Sequence, residues 1–183
     1  MAKVCIFFAD GLEEIEGLTV VDLLRRAGID IHIVSISDSL KVMGAHHIEI
    51  TADTTFENED FSDTEMYILP GGMPGTTNLG RCVPLCKQLT KAASVGKYIA
   101  AICAAPSVLG GIGLLKGKNA TCYPGFENKL IGANCLTDNV VVDGQYITSR
   151  GMGTAIEFAG QLVTLLKDQK TADELLDSIM YTR

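Results

Sequence analysis

One cysteine stands where a thiol can act as a nucleophile. In Ile99-Ala100-Ala101-Ile102-Cys103-Ala104-Ala105-Pro106 an apolar run reaches Cys103. A helix signal follows at once, with Pro106 suited to a first helical turn. No loop separates the two elements, so the chain must turn tightly at Cys103. Ala101, Ala104 and Ala105 are small enough to let it do so. This is the logic of a nucleophile elbow, with alanines where glycines usually flank the nucleophile. A helix N-terminus aimed at the sulfur favours thiolate and predicts a lowered thiol pKa. Position alone also fits a cysteine that fills a small hole in a core.

Two further segments carry groups that such a thiol would need. Leu69-Pro70-Gly71-Gly72-Met73-Pro74-Gly75 is an apolar run ending in a glycine pair. Backbone N–H groups there can approach a ligand closely. Together with the N–H of Ala104 they could hold an oxyanion. Asp10-Gly11-Leu12-Glu13-Glu14-Ile15-Glu16 opens a helix. Its acids suit the positive end of the helix dipole, which accounts for most of them. Glu16 differs, because it stands four before Val20, seven before Leu23 and eight before Leu24. It heads the apolar stripe, whereas Glu14 falls on a face expected to end polar. A carboxyl on a buried stripe has a raised pKa. Held protonated, it can donate to a thiolate or shuttle a proton.

The elements that must position these groups alternate. Apolar runs at Val4–Phe8, Met66–Leu69 and Tyr98–Ile102 read as strands without polar alternation, hence buried on both faces, and Ile29–Ile36 reads as a further strand. Helical stretches are expected at Glu13–Ala27, Pro84–Val95 and Ala105–Ile112, the first two stopped by Gly28 and Gly96. Val42–Met43 with Ile48–Thr51 reads as a short hairpin-like excursion, and Asn119–Cys122 as a strand. Val140–Val142 and Tyr146–Thr148 flank an Asp143-Gly144 turn. Thr154-x-x-Glu157 and Thr171-x-x-Glu174 read as capping boxes for two closing helices. Strand–helix alternation predicts a mostly parallel sheet covered by helices on both faces, as one domain over 1–183. Functional groups in such sheets gather at the C-terminal ends of strands, where all three segments lie.

Composition narrows the function classes. The chain has 183 residues, 47% hydrophobic and 20% charged, enough apolar mass for one large core. A formal charge of -7 argues against nucleic-acid binding as the main business. Met1-Ala2-Lys3 runs directly into a strand-length apolar stretch ending at Asp10, too short to span a membrane. A cytoplasmic location is expected. Six cysteines without a CxxC fit a reducing compartment, not a disulfide scaffold. Cys82 and Cys86 are four apart, but nothing nearby completes a metal site, so no metal is expected. Neither GxGxxG nor GxxxxGK[ST] occurs, and no cofactor is expected.

In this order and spacing the motifs resemble the DJ-1/ThiJ/PfpI superfamily, closest to its DJ-1/ThiJ branch. The matching pieces are Gly-Leu-Glu-Glu-Ile-Glu (11–16), Asp-Leu-Leu-Arg-Arg-Ala-Gly (22–28), Leu-Pro-Gly-Gly (69–72), Ala-Ala-Ile-Cys-Ala-Ala-Pro (100–106), and Thr-Ser-Arg-Gly-Met-Gly-Thr (148–154) before Glu157-Phe158. The resemblance implies a flavodoxin-like sandwich of the class I glutamine amidotransferase type, and a homodimer. It makes Cys103 the reactive cysteine and Glu16 the acid that hydrogen-bonds it. Gly72 and Ala104 become the amide donors. Arg150, Tyr123 and His46 become candidates for the pocket lining, His46 from the partner chain. Ala104 stands where the protease branch has a histidine, so peptidase activity is not expected. Tyr123 replaces a histidine common in the DJ-1 branch and is a poor base at neutral pH. The activity implied is a glutathione-independent glyoxalase or deglycase acting on 2-oxoaldehydes such as methylglyoxal. The rival is an oxidative-stress sensor or protective, chaperone-like protein in which an oxidant acts on Cys103 without turnover.

Overall fold

A computed structural model describes residues 3–182. In chain order the elements are β1 (Lys3–Phe8), α1 (Glu14–Arg26), β2 (Asp30–Ser35), β3 (Lys41–Met43), β4 (Glu49–Thr51), β5 (Thr54–Thr55) and β6 (Thr64–Leu69). Then come α2 (Gly75–Arg81), α3 (Val83–Ser94), β7 (Tyr98–Ile102), α4 (Pro106–Gly111), β8 (Asn119–Ala120) and β9 (Asn134–Cys135). The chain closes with β10 (Val140–Asp143), β11 (Tyr146–Ser149), α5 (Ala155–Leu166) and α6 (Gln169–Ser178).

The apolar runs become the central strands because each buries both of its faces. Seven strands form one sheet in the order β10-β11-β7-β6-β1-β2-β5. All pairings in it are parallel except the edge pair β10–β11. Successive side chains of β1 go to opposite faces, as strand geometry requires. Val4, Ile6 and Phe8 join Val20, Leu24, Phe158 and Leu162 on the face covered by α1, α5 and α6. Cys5 and Phe7 join Leu79, Leu85, Leu89 and Leu109 under α2, α3 and α4. This is the flavodoxin-like α/β sandwich, a mostly parallel sheet with helices on both faces.

The topology sets the site. From β1 the chain crosses to β2 on one side, and β6 and β7 lie on the other. The strand order therefore reverses beside β1, where a crevice opens at the C-terminal strand ends. α1 leaves the end of β1, the Gly71-Gly72 pair leaves β6, and Cys103 leaves β7. The hairpin β3–β4 folds back over the start of α1: Gly11 N–H donates to Met43 O at 2.7 Å and Ala45 N–H to Leu12 O at 2.8 Å.

Several local expectations are corrected. α2 replaces what reads as a glycine turn. Gly75 and Thr76 begin it because their N–H groups find the carbonyls of Gly11 and Gly72. The Asn119–Cys122 strand ends at Ala120 and pairs with β9, which the sequence pattern does not show. Neither capping box forms. Thr154 Oγ1 bonds back to Gly151 and Ser149, and Glu157 accepts from Asn139. α6 begins earlier than Thr171, capped by Asp168, which accepts from the Thr171 N–H at 2.7 Å. Its stripe buries Leu175 and Leu176, while Met180 lies past the helix end and is exposed.

Candidate active site

Cys103 sits between β7 and α4 with φ of +64°. A non-glycine residue in this region costs free energy and must be held by its surroundings. Two backbone bonds hold it. Its N–H donates to Ser149 O at 2.9 Å, and its carbonyl accepts from Tyr123 N–H at 2.8 Å. The turn therefore ties β7 to the end of β11 and to the segment after β8. The sulfur is half-buried.

Glu16 lies in the first turn of α1 and is 1% exposed. Helical spacing puts it on the stripe that packs against the sheet. Its Oε2 accepts the N–H of Gly71 at 2.9 Å, and the Cys103 thiol is its other partner. Oε1 is buried and has no hydrogen-bond partner among the described residues. Burial pushes the carboxyl up to about 7, against the bonds from Cys103 and Gly71. A buried carboxyl oxygen without a donor favours the protonated acid.

The thiol pKa is also raised, to about 12, by burial first and then by the charge of Glu16. N–H groups of Ala104 and Gly72 pull the other way. This corrects the lowered value expected from the elbow. α4 has only six residues, so its dipole is short, and burial beside a carboxylate outweighs it. Glu16 and Cys103 therefore act as a coupled pair that opposes carrying two negative charges at once.

The glycine pair is required by this packing. A Cβ on Gly71 would lie 2.5 Å from Glu16 Oε2 and 2.6 Å from Cys103 Cβ. Gly72 has φ of +91°, and a Cβ there would collide with the backbone of Leu12 and Glu13. Cys103, Glu16, Gly72 and Ala104 thus meet at one point. Gly71 is as much a part of it, and the adjacent Gly-Gly dipeptide was its only signal.

The outer candidates divide. Tyr123 lies at the thiol: a Cβ built on Gly151 would be 3.3 Å from its Cδ2 and 3.9 Å from Cys103 Sγ. Arg150 is half-buried and acts on Cys122, whose thiol burial raises to about 11 and Arg150 partly offsets. His46 is exposed and bound to its own chain. Its N–H and Nδ1 meet Glu14 at 2.7 and 2.8 Å. Glu14 itself is 4% exposed, against the expectation that it ends polar, because the β3–β4 turn covers it. Among the described residues Glu13, Glu14 and His46 bring ligating atoms within 4.8 Å of one another. The carboxylate and imidazole there already satisfy each other. Cys82 and Cys86 join no such group. No described helix is long and apolar enough to cross a membrane.

Comparison with known proteins agrees with the fold. The model of the DJ-1/PfpI family matches residues 2–165. The chain is 41% identical to Protein DJ-1 homolog B of Arabidopsis thaliana over 94% of its own length, but spans only 40% of that longer protein. It is 33% identical to the glutathione-independent glyoxalase DJR-1.2 of Caenorhabditis elegans, covering 90% of this chain and 88% of the other. A deglycase of Pyrococcus abyssi is 31% identical, over 90% and 99%. Among solved structures, oxidized Toxoplasma gondii DJ-1 superposes with a TM-score of 0.96 at 32% identity, over the full length of both chains.

Proposed function

Because the chain belongs to the DJ-1/PfpI family, we propose that it is a cysteine-dependent, glutathione-independent enzyme of the glyoxalase or deglycase type, acting on 2-oxoaldehydes such as methylglyoxal. The observation that carries this reading is the buried Glu16 carboxyl bonded to Cys103 at a positive-φ turn. Relatives named as a glyoxalase and a deglycase support the class of chemistry.

The sulfur of Cys103 adds to the aldehyde carbon of methylglyoxal. A C–S bond forms, the thiol proton passes through Glu16 to the former carbonyl oxygen, and a hemithioacetal results. During the addition the developing oxyanion lies against the N–H groups of Gly72 and Ala104. Glu16, in the carboxylate form that a pKa of about 7 leaves populated near neutral pH and that relaying the thiol proton regenerates, takes the proton from the carbon bearing sulfur and returns it to the neighbouring carbon through an enediol, while the hydroxyl proton of the hemithioacetal moves to the former ketone oxygen. This gives a lactoyl thioester. Water cleaves the C–S bond, releases lactate and restores the thiol. The net change is addition of one water to methylglyoxal, with no metal and no outside thiol consumed. A carboxyl with a pKa near operating pH suits both directions of proton transfer.

The test is lactate formation from methylglyoxal, without glutathione, by the wild type and Cys103→Ser. Turnover that vanishes with the sulfur supports the reading. Equal rates in both proteins end it.

A second reading rests on Tyr123 standing in place of a base. Oxidant converts Cys103 to a sulfinate, which a protonated Glu16 and the two amides would stabilise. A similar protein has been solved in an oxidized form. Uptake of two oxygens at Cys103 under mild peroxide, with no lactate formed, would favour this reading. We also infer a homodimer. Ile15 and Leu18 on α1, Met43 on β3 and Ile48 in the β3–β4 turn are large apolar side chains left exposed, and the hairpin packs over the start of α1. A monomer in sedimentation would contradict that.

A further inference from the structure

The segment after β8 leans over the thiol. Tyr123 N–H holds Cys103 O, and Phe126 N–H in turn holds Tyr123 O at 3.1 Å, so the segment is pinned at the elbow itself. On the opposite side the turn after β11 is braced. Gly151 N–H donates to Thr154 Oγ1 at 3.2 Å, and that hydroxyl donates back to Gly151 O at 2.9 Å. Gly151 is buried, and the Tyr123 ring lies across it. A single methyl placed on Gly151 would touch two ring carbons, at 3.3 and 3.8 Å, and stand 3.9 Å from the sulfur. The ring edge and Sγ therefore both lie within one carbon's contact of the same point beside the Gly151 backbone. Glu16 and Gly71 close the inner side of the thiol. Tyr123 is 50% exposed, so the ring stands at the mouth, with one edge toward solvent and one toward the sulfur. Its hydroxyl has no hydrogen-bond partner among the described residues.

We propose that the Tyr123 ring is the size gate of the Cys103 site, admitting electrophiles with a small substituent next to the reacting carbon and turning away those with an aromatic or branched one. This deepens the reading above by naming its substrate class, short-chain 2-oxoaldehydes, and rests on Cys103 being the reacting thiol. The ring acts as a wall, and the hydroxyl takes no part.

Alkylation kinetics separate this from turnover. Intact protein is treated with iodoacetone or with 2-iodoacetophenone, which differ only in the group on the carbonyl next to the reacting carbon, and the rate at Cys103 is read by peptide mass spectrometry. The measured quantity is the ratio of the bulky-reagent rate to the small-reagent rate. Tyr123→Ala should raise that ratio about tenfold, as removing a wall of this size relieves a steric discrimination of that order. Tyr123→Phe should leave it unchanged, and Tyr123→Trp should lower it below wild type. The opposed directions for Ala and Trp guard against general loosening, which would raise the ratio in both. Buried Cys5 and Cys122 report loosening directly. An unchanged ratio in Tyr123→Ala, or a rise in Tyr123→Trp, overturns the gate. A ratio that follows ring size in a protein that forms no lactate leaves the gate standing and removes the enzyme reading alone.

Discussion

Two carboxyls two residues apart on α1, Glu14 and Glu16, are both almost fully covered, yet they end in opposite states. Burial raises Glu16 to about 7, because among the described residues its partners are one N–H and a thiol. Burial pushes Glu14 up too, but the His46 ring and backbone N–H bonds outweigh it, and its pKa falls below the usual carboxylate range. Glycines sit against both: a Cβ on Gly71 would strike Glu16, and one on Gly44 would strike Glu14. The difference teaches that covering a carboxyl does not decide its charge. The donors that reach it do. One site is a salt-bridged clamp on the hairpin, and the other is an acid left poised.

The sharpest break of this comparison is Glu16→Gln. It should lower methylglyoxal turnover by about 10²–10⁴-fold, the usual worth of a positioned proton donor. Glu14→Gln should leave turnover near wild type. Similar losses in both would erase the distinction between the two acids.

Next come the glycines. Gly71→Ala and Gly44→Ala should each destabilise by about 1–3 kcal/mol in urea unfolding, the cost of forcing atoms into packed space. Gly71→Ala should also abolish turnover, whereas Gly44→Ala should keep it. Loss of turnover in Gly44→Ala would show that the hairpin clamp serves the chemistry.

The pH dependence of stability should differ in sign. Glu16 binds its proton more tightly folded than unfolded. Its contribution is therefore full below the ordinary carboxylate pKa of 4.5 and is lost as pH rises through about 7. The shift is worth at most roughly 3 kcal/mol. Glu14, with its pKa lowered, contributes above the ordinary value and loses that as pH falls through the folded one. His46, with its pKa raised by Glu14 and Glu13, contributes below the ordinary imidazole value and loses that as pH rises through the folded one. Glu16→Gln should flatten the decline toward pH 7 in a series of melting curves. His46→Ala should flatten the loss near the imidazole range instead. A decline untouched by Glu16→Gln would place the raised pKa elsewhere.

The smallest effect is expected from Thr154→Val. It removes the hydroxyl bracing Gly151 and should cost about 1 kcal/mol, the net worth of a hydrogen bond, with a minor change in turnover. An effect on turnover as large as that of Glu16→Gln would make the brace part of the reacting group.

What the sequence made legible follows from how local each cause is. The strands were readable because a run such as Val4–Phe8 is apolar at every position. Glu16 was readable because helical spacing placed it on the stripe of Val20, Leu23 and Leu24. Cys103 was readable because only the short turn 103–105 separates strand from helix. The state of its thiol was not, since burial comes from α1 and the Gly71 turn, which are distant in sequence. Glu14 was misread for the same reason: its cover, His46, lies 32 positions away. α2 was hidden because Gly75-Thr76-Thr77-Asn78 has weak helix propensity, and its first N–H groups depend on the carbonyls of Gly11 and Gly72.

The most direct test of the account is the lactate yield from methylglyoxal at neutral pH, without glutathione, for wild type beside Glu16→Gln and Glu14→Gln. The account predicts turnover in wild type and Glu14→Gln, and its near-complete loss in Glu16→Gln. Undiminished turnover in Glu16→Gln would contradict it, because the buried acid beside Cys103 would then have no part in the reaction.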